Sequence, residues 1–70
     1  MILYITEFET KKGKYNVHAV ISDNGTVVGE ASYPSSLQDK MVAEQIEIIK
    51  SKYGIPQNSV ITERRSCGKA

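Results

Sequence analysis

Cations are the residues of this chain whose types and positions point to chemistry. Lys11, Lys12 and Lys14 form one cluster, and Arg64, Arg65 and Lys69 form a second near the C-terminus. Side chains of this kind bind anions: they track a phosphate backbone or steer an acidic protein surface into contact. Glu7, Glu9 and Glu63 are interleaved with them and offset part of the charge. The other chemistry-bearing residues stand alone. One histidine, His18, and one cysteine, Cys67, lie far apart in sequence and cannot close a zinc site. No serine or cysteine is spaced to use His18 as a base, and His18 reads as a half-exposed strand residue. Gly13 and Gly25 are turn glycines, because nothing like Gly-x-Gly-x-x-Gly occurs to cradle phosphates. No catalytic residue, metal site or cofactor is expected from these spacings.

The cations matter only if the elements around them bring the two clusters together. Met1–Thr10 is rich in β-formers and opens apolar on both faces, as a strand inside a sheet does. Lys11-Lys12-Gly13-Lys14 is a turn. Lys14–Ser22 alternates, with Tyr15, Val17, Ala19 and Ile21 on one face and Asn16, His18 and Ser22 on the other. Asp23-Asn24-Gly25 is a hairpin signal. A two-residue loop would pair Ile21 with Val28 and Ala19 with Glu30. A three-residue loop pairs Ile21 with Val27, Ala19 with Gly29, Val17 with Ala31 and Tyr15 with Tyr33. Only the second keeps both apolar sets on one face, since a one-residue slip turns every side chain over. It predicts a bulged loop with Gly25 in the left-handed region.

Pro34 closes the third strand. Ser36 and Asp39 have capping-box spacing. Val42, Ile46, Ile49 and Tyr53, flanked by Leu37, Met41 and Ile48, predict a helix with one broad buried stripe. Gly54 is placed to end it, with Ile55 covering Ile49. Ser59–Arg65 reads as a fourth strand and Ser66–Ala70 as a frayed tail. The expectation is therefore a single α+β domain over residues 1–70. Its order is βββαβ: a mixed four-stranded sheet in order 3-2-1-4 with one helix packed on one face. A right-handed crossover makes the fourth strand parallel to the first. The first turn, the helix N-terminus and the end of the fourth strand then share one end of the domain, and all six cations converge there. The second sheet face is left open. His18, Val20 and Val28 are expected on it, where a second copy has room to pair.

The run from Tyr15 to Tyr33 resembles the second and third strands of ribonuclease H-like domains. Val42-Ala43-Glu44 is similar to that family's helix motif, and Val60-Ile61-Thr62-Glu63 to its fourth strand. The resemblance covers nearly the whole chain and about half of the family's fold. It implies that Glu7, Glu44 and Glu63 stand at the family's metal-binding acidic positions. Two of those acids are aspartates in the family, the Asp-Gly-Ser turn after the first is absent, and the later elements have no counterpart here. One extra methylene per ligand disturbs a two-metal geometry that holds ions roughly 3.5–4 Å apart. The same core also looks like the partial ribonuclease H fold of certain antitoxins, which act by binding a partner.

Composition narrows the classes further. Seventy residues with a formal charge of +1 make one small domain with no global field for a polyanion. No apolar run reaches the roughly 18 residues of a membrane span, and the first residues lack signal-peptide features. One cysteine fits a reducing, cytoplasmic setting. The expectation is a non-catalytic small intracellular binding module of the phage or mobile-element type. It acts as a stoichiometric regulator or inhibitor of a protein or nucleoprotein partner. The alternatives are a nucleic-acid binder using the basic end and a divergent metal-dependent nuclease.

Overall fold

The computed structural model describes residues 1–66. Its elements are β1 (Ile2–Glu9), β2 (Tyr15–Asp23), β3 (Thr26–Tyr33), helix α1 (Asp39–Tyr53), a short 3₁₀ turn (Gln57–Ser59) and β4 (Val60–Arg65). The sheet runs β3-β2-β1-β4. The two hairpin pairs are antiparallel, and β4 lies parallel to β1. This is the α+β, βββαβ arrangement expected from connection rules. Of the expected tail, residues 67–70 lie outside the described residues, and Cys67 and Lys69 with them.

Alternation decides which face each residue takes. Leu3 pairs with Ile21 and with Val60, and Ile5 pairs with Ala19. The odd-numbered positions of β1 and β2, and Val60 of β4, face the helix. Leu3, Ile5, Ala19, Ile21 and Ile55 are the buried core, and Val17, Ala31, Ile46, Ile49, Tyr53 and Val60 pack around it half-buried. The even-numbered positions of β1 and β2 and the odd-numbered positions of β4 take the opposite face, which no element covers among the described residues. Tyr4, Phe8 and Ile61 are exposed there, and Val20 is half-buried beside Tyr4.

The hairpin differs from expectation in its loop length and in its register. Asn24 and Gly25 both have positive φ, at 52° and 82°, so the loop has two residues, flanked by the pair Asp23–Thr26. The extra residue sits instead in β3, where the register shifts between Ile21 and Ser22. Beyond that bulge Ile21 faces Gly29, Ala19 faces Ala31 and Val17 faces Tyr33, each two residues further along β3 than the expected partners Val27, Gly29 and Ala31. One extra residue was needed to keep the apolar sets together, as expected, but the bulge rather than the loop holds it. Gly25→Val forces a β-branched side chain into the left-handed region. It is expected to cost on the order of 1 kcal/mol or more, seen as a lower urea midpoint at unchanged slope. An unchanged midpoint contradicts a left-handed Gly25.

The helix also departs from expectation at its start. It begins at Asp39, after an N-cap Gln38 that makes no side-chain cap bond, so the Ser36–Asp39 capping box is not formed. The cause is tertiary. The Ser35 amide donates to Asn16 Oδ1 at 2.7 Å, and the Leu37 amide donates to the Pro34 carbonyl at 3.1 Å. These bonds hold residues 34–37 as a turn against β2. The helix ends as expected. Gly54 is left-handed (φ 65°), its amide donates to Ser51 O, and the Ile55 amide donates to Lys50 O at 2.9 Å. That closure drops Ile55 into the core.

The expected buried stripe is only half-buried. Val42, Ile46, Ile49 and Tyr53 do face the sheet, yet no residue of α1 is buried, and Met41 and Ile48 are exposed. One 15-residue helix cannot cover a four-stranded face, and its N-terminal half stands off the sheet.

Candidate functional site

The turn between β1 and β2 is a fixed platform. The Thr10 amide donates to Lys14 O at 2.7 Å, and the Gly13 amide donates to Thr10 O at 3.1 Å with Gly13 at φ 77°. The Thr10 hydroxyl accepts from the amides of Lys12 and Lys14, each at 3.3 Å. Those two amides are therefore occupied. Anion recognition at this turn falls to the side chains of Lys11, Lys12 and Lys14, all exposed. A depression of about 440 Å³ separates the turn from residues 35–39, so the turn and the helix N-terminus do share one end of the domain.

The two arginines reach that end in a different state. The β1–β4 register sets Glu7 opposite Arg64. Arg64 Nε and an outer guanidinium nitrogen donate to Glu7 Oε1 at 2.9 and 2.8 Å. The guanidinium also lies 4.4 Å over the Tyr15 ring. The bond to Glu7 first, with the charges of Tyr15 and Glu7 behind it, raises the Arg64 pKa above its ordinary value. Arg65 pairs with Glu63 at 2.8 Å. The basic end thus consists of three exposed turn lysines and two arginines already held by carboxylates; Lys69 lies outside the described residues. Exposed pairs of this kind contribute little stability. They do remove free charge.

Beneath Arg64 the standing-off helix opens a cleft of about 450 Å³. Ile5 and Val17 line it on the sheet side, and Leu37, Val42 and Ile46 line it on the helix side. Glu7, Asp39 and Glu47 line it with Arg64. The sequence reading missed this feature. Its one visible signal was the Glu7–Arg64 cross-strand pair, which follows from the β1–β4 register.

No family model, curated protein or solved structure matches this chain. Function is therefore argued from the site.

The three glutamates singled out by the ribonuclease H resemblance are not brought together. Glu7 faces the helix, whereas Glu63 pairs with Thr6 on the opposite face of the sheet. Glu44 is exposed on α1. Among the described residues no three of His, Cys, Asp and Glu are grouped to hold a metal ion. His18 is half-exposed, as expected for a strand histidine, with Nε2 3.0 Å from Glu30 Oε1 on the uncovered face. Among the described residues no helix is long and apolar enough to cross a membrane.

Proposed function

We propose that this chain is a small intracellular, non-catalytic binding module that regulates or inhibits a protein or nucleoprotein partner by stoichiometric contact. The contact is made at the end of the domain where the lysine turn, residues 34–38 and the cleft under α1 meet. The observation that carries this reading is the cleft itself. It is apolar-lined, open, and placed beside three exposed lysines on a rigid turn. A partner inserts an apolar side chain past Leu37 and sets acidic residues against Lys11, Lys12 and Lys14. Convergent apolar and charged groups at one concave site are how such contacts gain affinity and rate together. A protein surface fits better than a nucleic acid here. A phosphate track over this end would have to pass the carboxylates of Glu7, Asp39 and Glu47 at the cleft.

The test is quantitative affinity capture from native-host extract with parallel variants, followed by kinetics on the partner recovered. Lys11/Lys12/Lys14→Ala is expected to slow association about tenfold at low salt and flatten its salt dependence. Leu37→Asp is expected to abolish capture while the fold persists, because Leu37 lies outside the buried core. The triple variant Glu7/Glu44/Glu63→Gln is expected to bind as wild type. Loss only in the glutamine variant revives a role for the acids. Loss only in Tyr4→Asp moves the contact to the uncovered sheet face. Capture that disappears on nuclease treatment favours the nucleic-acid reading.

A further inference from the structure

The two edges of the sheet are built differently. The β3 edge is bulged after the hairpin and ends at Pro34, both of which disrupt pairing with another strand. The β4 edge has six regular residues with no bulge, proline or lysine, and all of them after Val60 are exposed. Among the described residues no strand lies outside it. A regular, exposed edge of this kind is a template for a further strand.

We propose that this edge pairs with the same edge of a second copy, β4 antiparallel to β4 about a two-fold axis centred on Arg64. A two-fold normal to the sheet keeps each face continuous, so the residue on the axis meets its own copy and the others pair symmetrically. Centring on Glu63 sets Glu63 against Glu63. Centring on Thr62 sets Ile61 against Glu63 and Val60 against Arg64. Centring on Arg64 sets Glu63 against Arg65 and Arg65 against Glu63, two opposite-charge cross-strand pairs on the uncovered face, with Thr62 against Ser66 beyond them. Within one chain Glu63 and Arg65 already bond at 2.8 Å, so their side chains reach along this face. The one like-charge meeting is Arg64 with Arg64. Each of those guanidiniums is drawn back over Tyr15 and bonded to Glu7, on the β1–β2 side. Charge matching thus selects one occupant and one register. The edge shares Thr62 and Arg64 with the cleft, but Glu63 and Arg65, whose charges set the register, lie on the opposite face, and this pairing does not depend on the partner reading above.

A charge-swap experiment on the full chain tests this. Wild type is expected to show a monomer–dimer equilibrium by sedimentation at tens to hundreds of micromolar, as a short interface of about five residues per strand gives. Glu63→Arg and Arg65→Glu should each weaken self-association about tenfold or more, since each places like charges opposite one another twice. The 1:1 mixture of the two single variants should form a heterodimer, because positions 63 and 65 are then both basic in one copy and both acidic in the other. Both positions are exposed, so folding, checked by circular dichroism, should be unchanged. In the wild-type dimer, alternate β4 amides should exchange more slowly than in the monomer. A wild type that stays monomeric, a dimer indifferent to both reversals, or β4 amides that gain no protection would each overturn the proposal. The last two outcomes would place any dimer on another surface. Loss of association here leaves capture through the cleft intact, so the two proposals fail separately.

Discussion

Leu3→Ala is expected to lower stability by roughly 2–5 kcal/mol, the range for deleting a fully buried leucine. Leu3 has no exposed surface and is flanked by Ile21 on β2 and Val60 on β4. Its side chain therefore joins three strands of the sheet to the layer beneath the helix. A domain of 70 residues has a total stability of only about 3.5–10 kcal/mol. The variant should be largely unfolded at 37 °C and melt at a much lower urea concentration. Ile46→Ala on the helix is expected to cost about half as much, because Ile46 is half-buried at the edge of the cleft. The comparison is the informative part. Equal losses in the two variants would mean that the helix packs onto the sheet along its whole length, and the cleft would not exist in solution.

Periodicity read the faces of these elements correctly but not their depth. Ile46, Ile49 and Tyr53 pack against the core and Val42 lines the cleft with Ile5 and Val17, as their helical spacing requires. Spacing carries no information on how closely the helix approaches, which depends on the width of the sheet beneath it. The same limit applies at the helix start. Ser36 and Asp39 have the right spacing for a cap, yet the Asn16 side chain on β2 holds the Ser35 amide and delays the first turn. A local signal lost to a bond from a residue nineteen positions away. In the hairpin, parity alone demanded an extra residue. It could not say whether the loop or the strand would absorb it, since Asn24 and Gly25 both accept left-handed backbone.

The basic end shows the same division. Connection rules brought Lys11, Lys12, Lys14, Arg64 and Arg65 to one end of the fold. The sequence already set Glu7, Glu9 and Glu63 among these cations, but only the registers show which cation each carboxylate holds. Glu7 lies opposite Arg64 across β1 and β4, and Glu63 is two residues from Arg65 on the same face. Both neutralising pairs follow once strand order and parity are fixed. The cleft does not. It arises from a helix too short to cover the sheet, and the Glu7–Arg64 pair beside it says nothing of how far the helix stands from the sheet.

Gly29 is expected to reverse the usual rule for glycine in a strand. Glycine lacks a side chain to hold it extended, and replacing it within a strand normally gains about 0.5–1 kcal/mol. Gly29 has no left-handed backbone that would forbid a side chain. Yet an added Cβ would stand 2.7 Å from Tyr53 Oη, 3.3 Å from Tyr53 Cζ and 3.1 Å from Ile21 Cδ1. The close atoms include the ring as well as the hydroxyl, so a small rotation of the tip does not clear them. Tyr53 would have to tilt away from β3, and with it the contact that closes the C-terminal end of the helix onto the sheet. Overpacking of this kind costs about 1–3 kcal/mol, which outweighs the gain from propensity. Gly29→Ala should therefore destabilise the wild type by about 1 kcal/mol, and Gly29→Val by more. In a Tyr53→Ala background only the flexible tip of Ile21 still crowds the site, and Gly29→Ala should become neutral or stabilising by a few tenths of a kcal/mol. The double-mutant cycle isolates that change of sign from the separate cost of losing the tyrosine. If Gly29→Ala has the same effect with and without Tyr53, the ring does not rest on Gly29. The C-terminal half of the helix would then be as loosely seated as the half that forms the cleft.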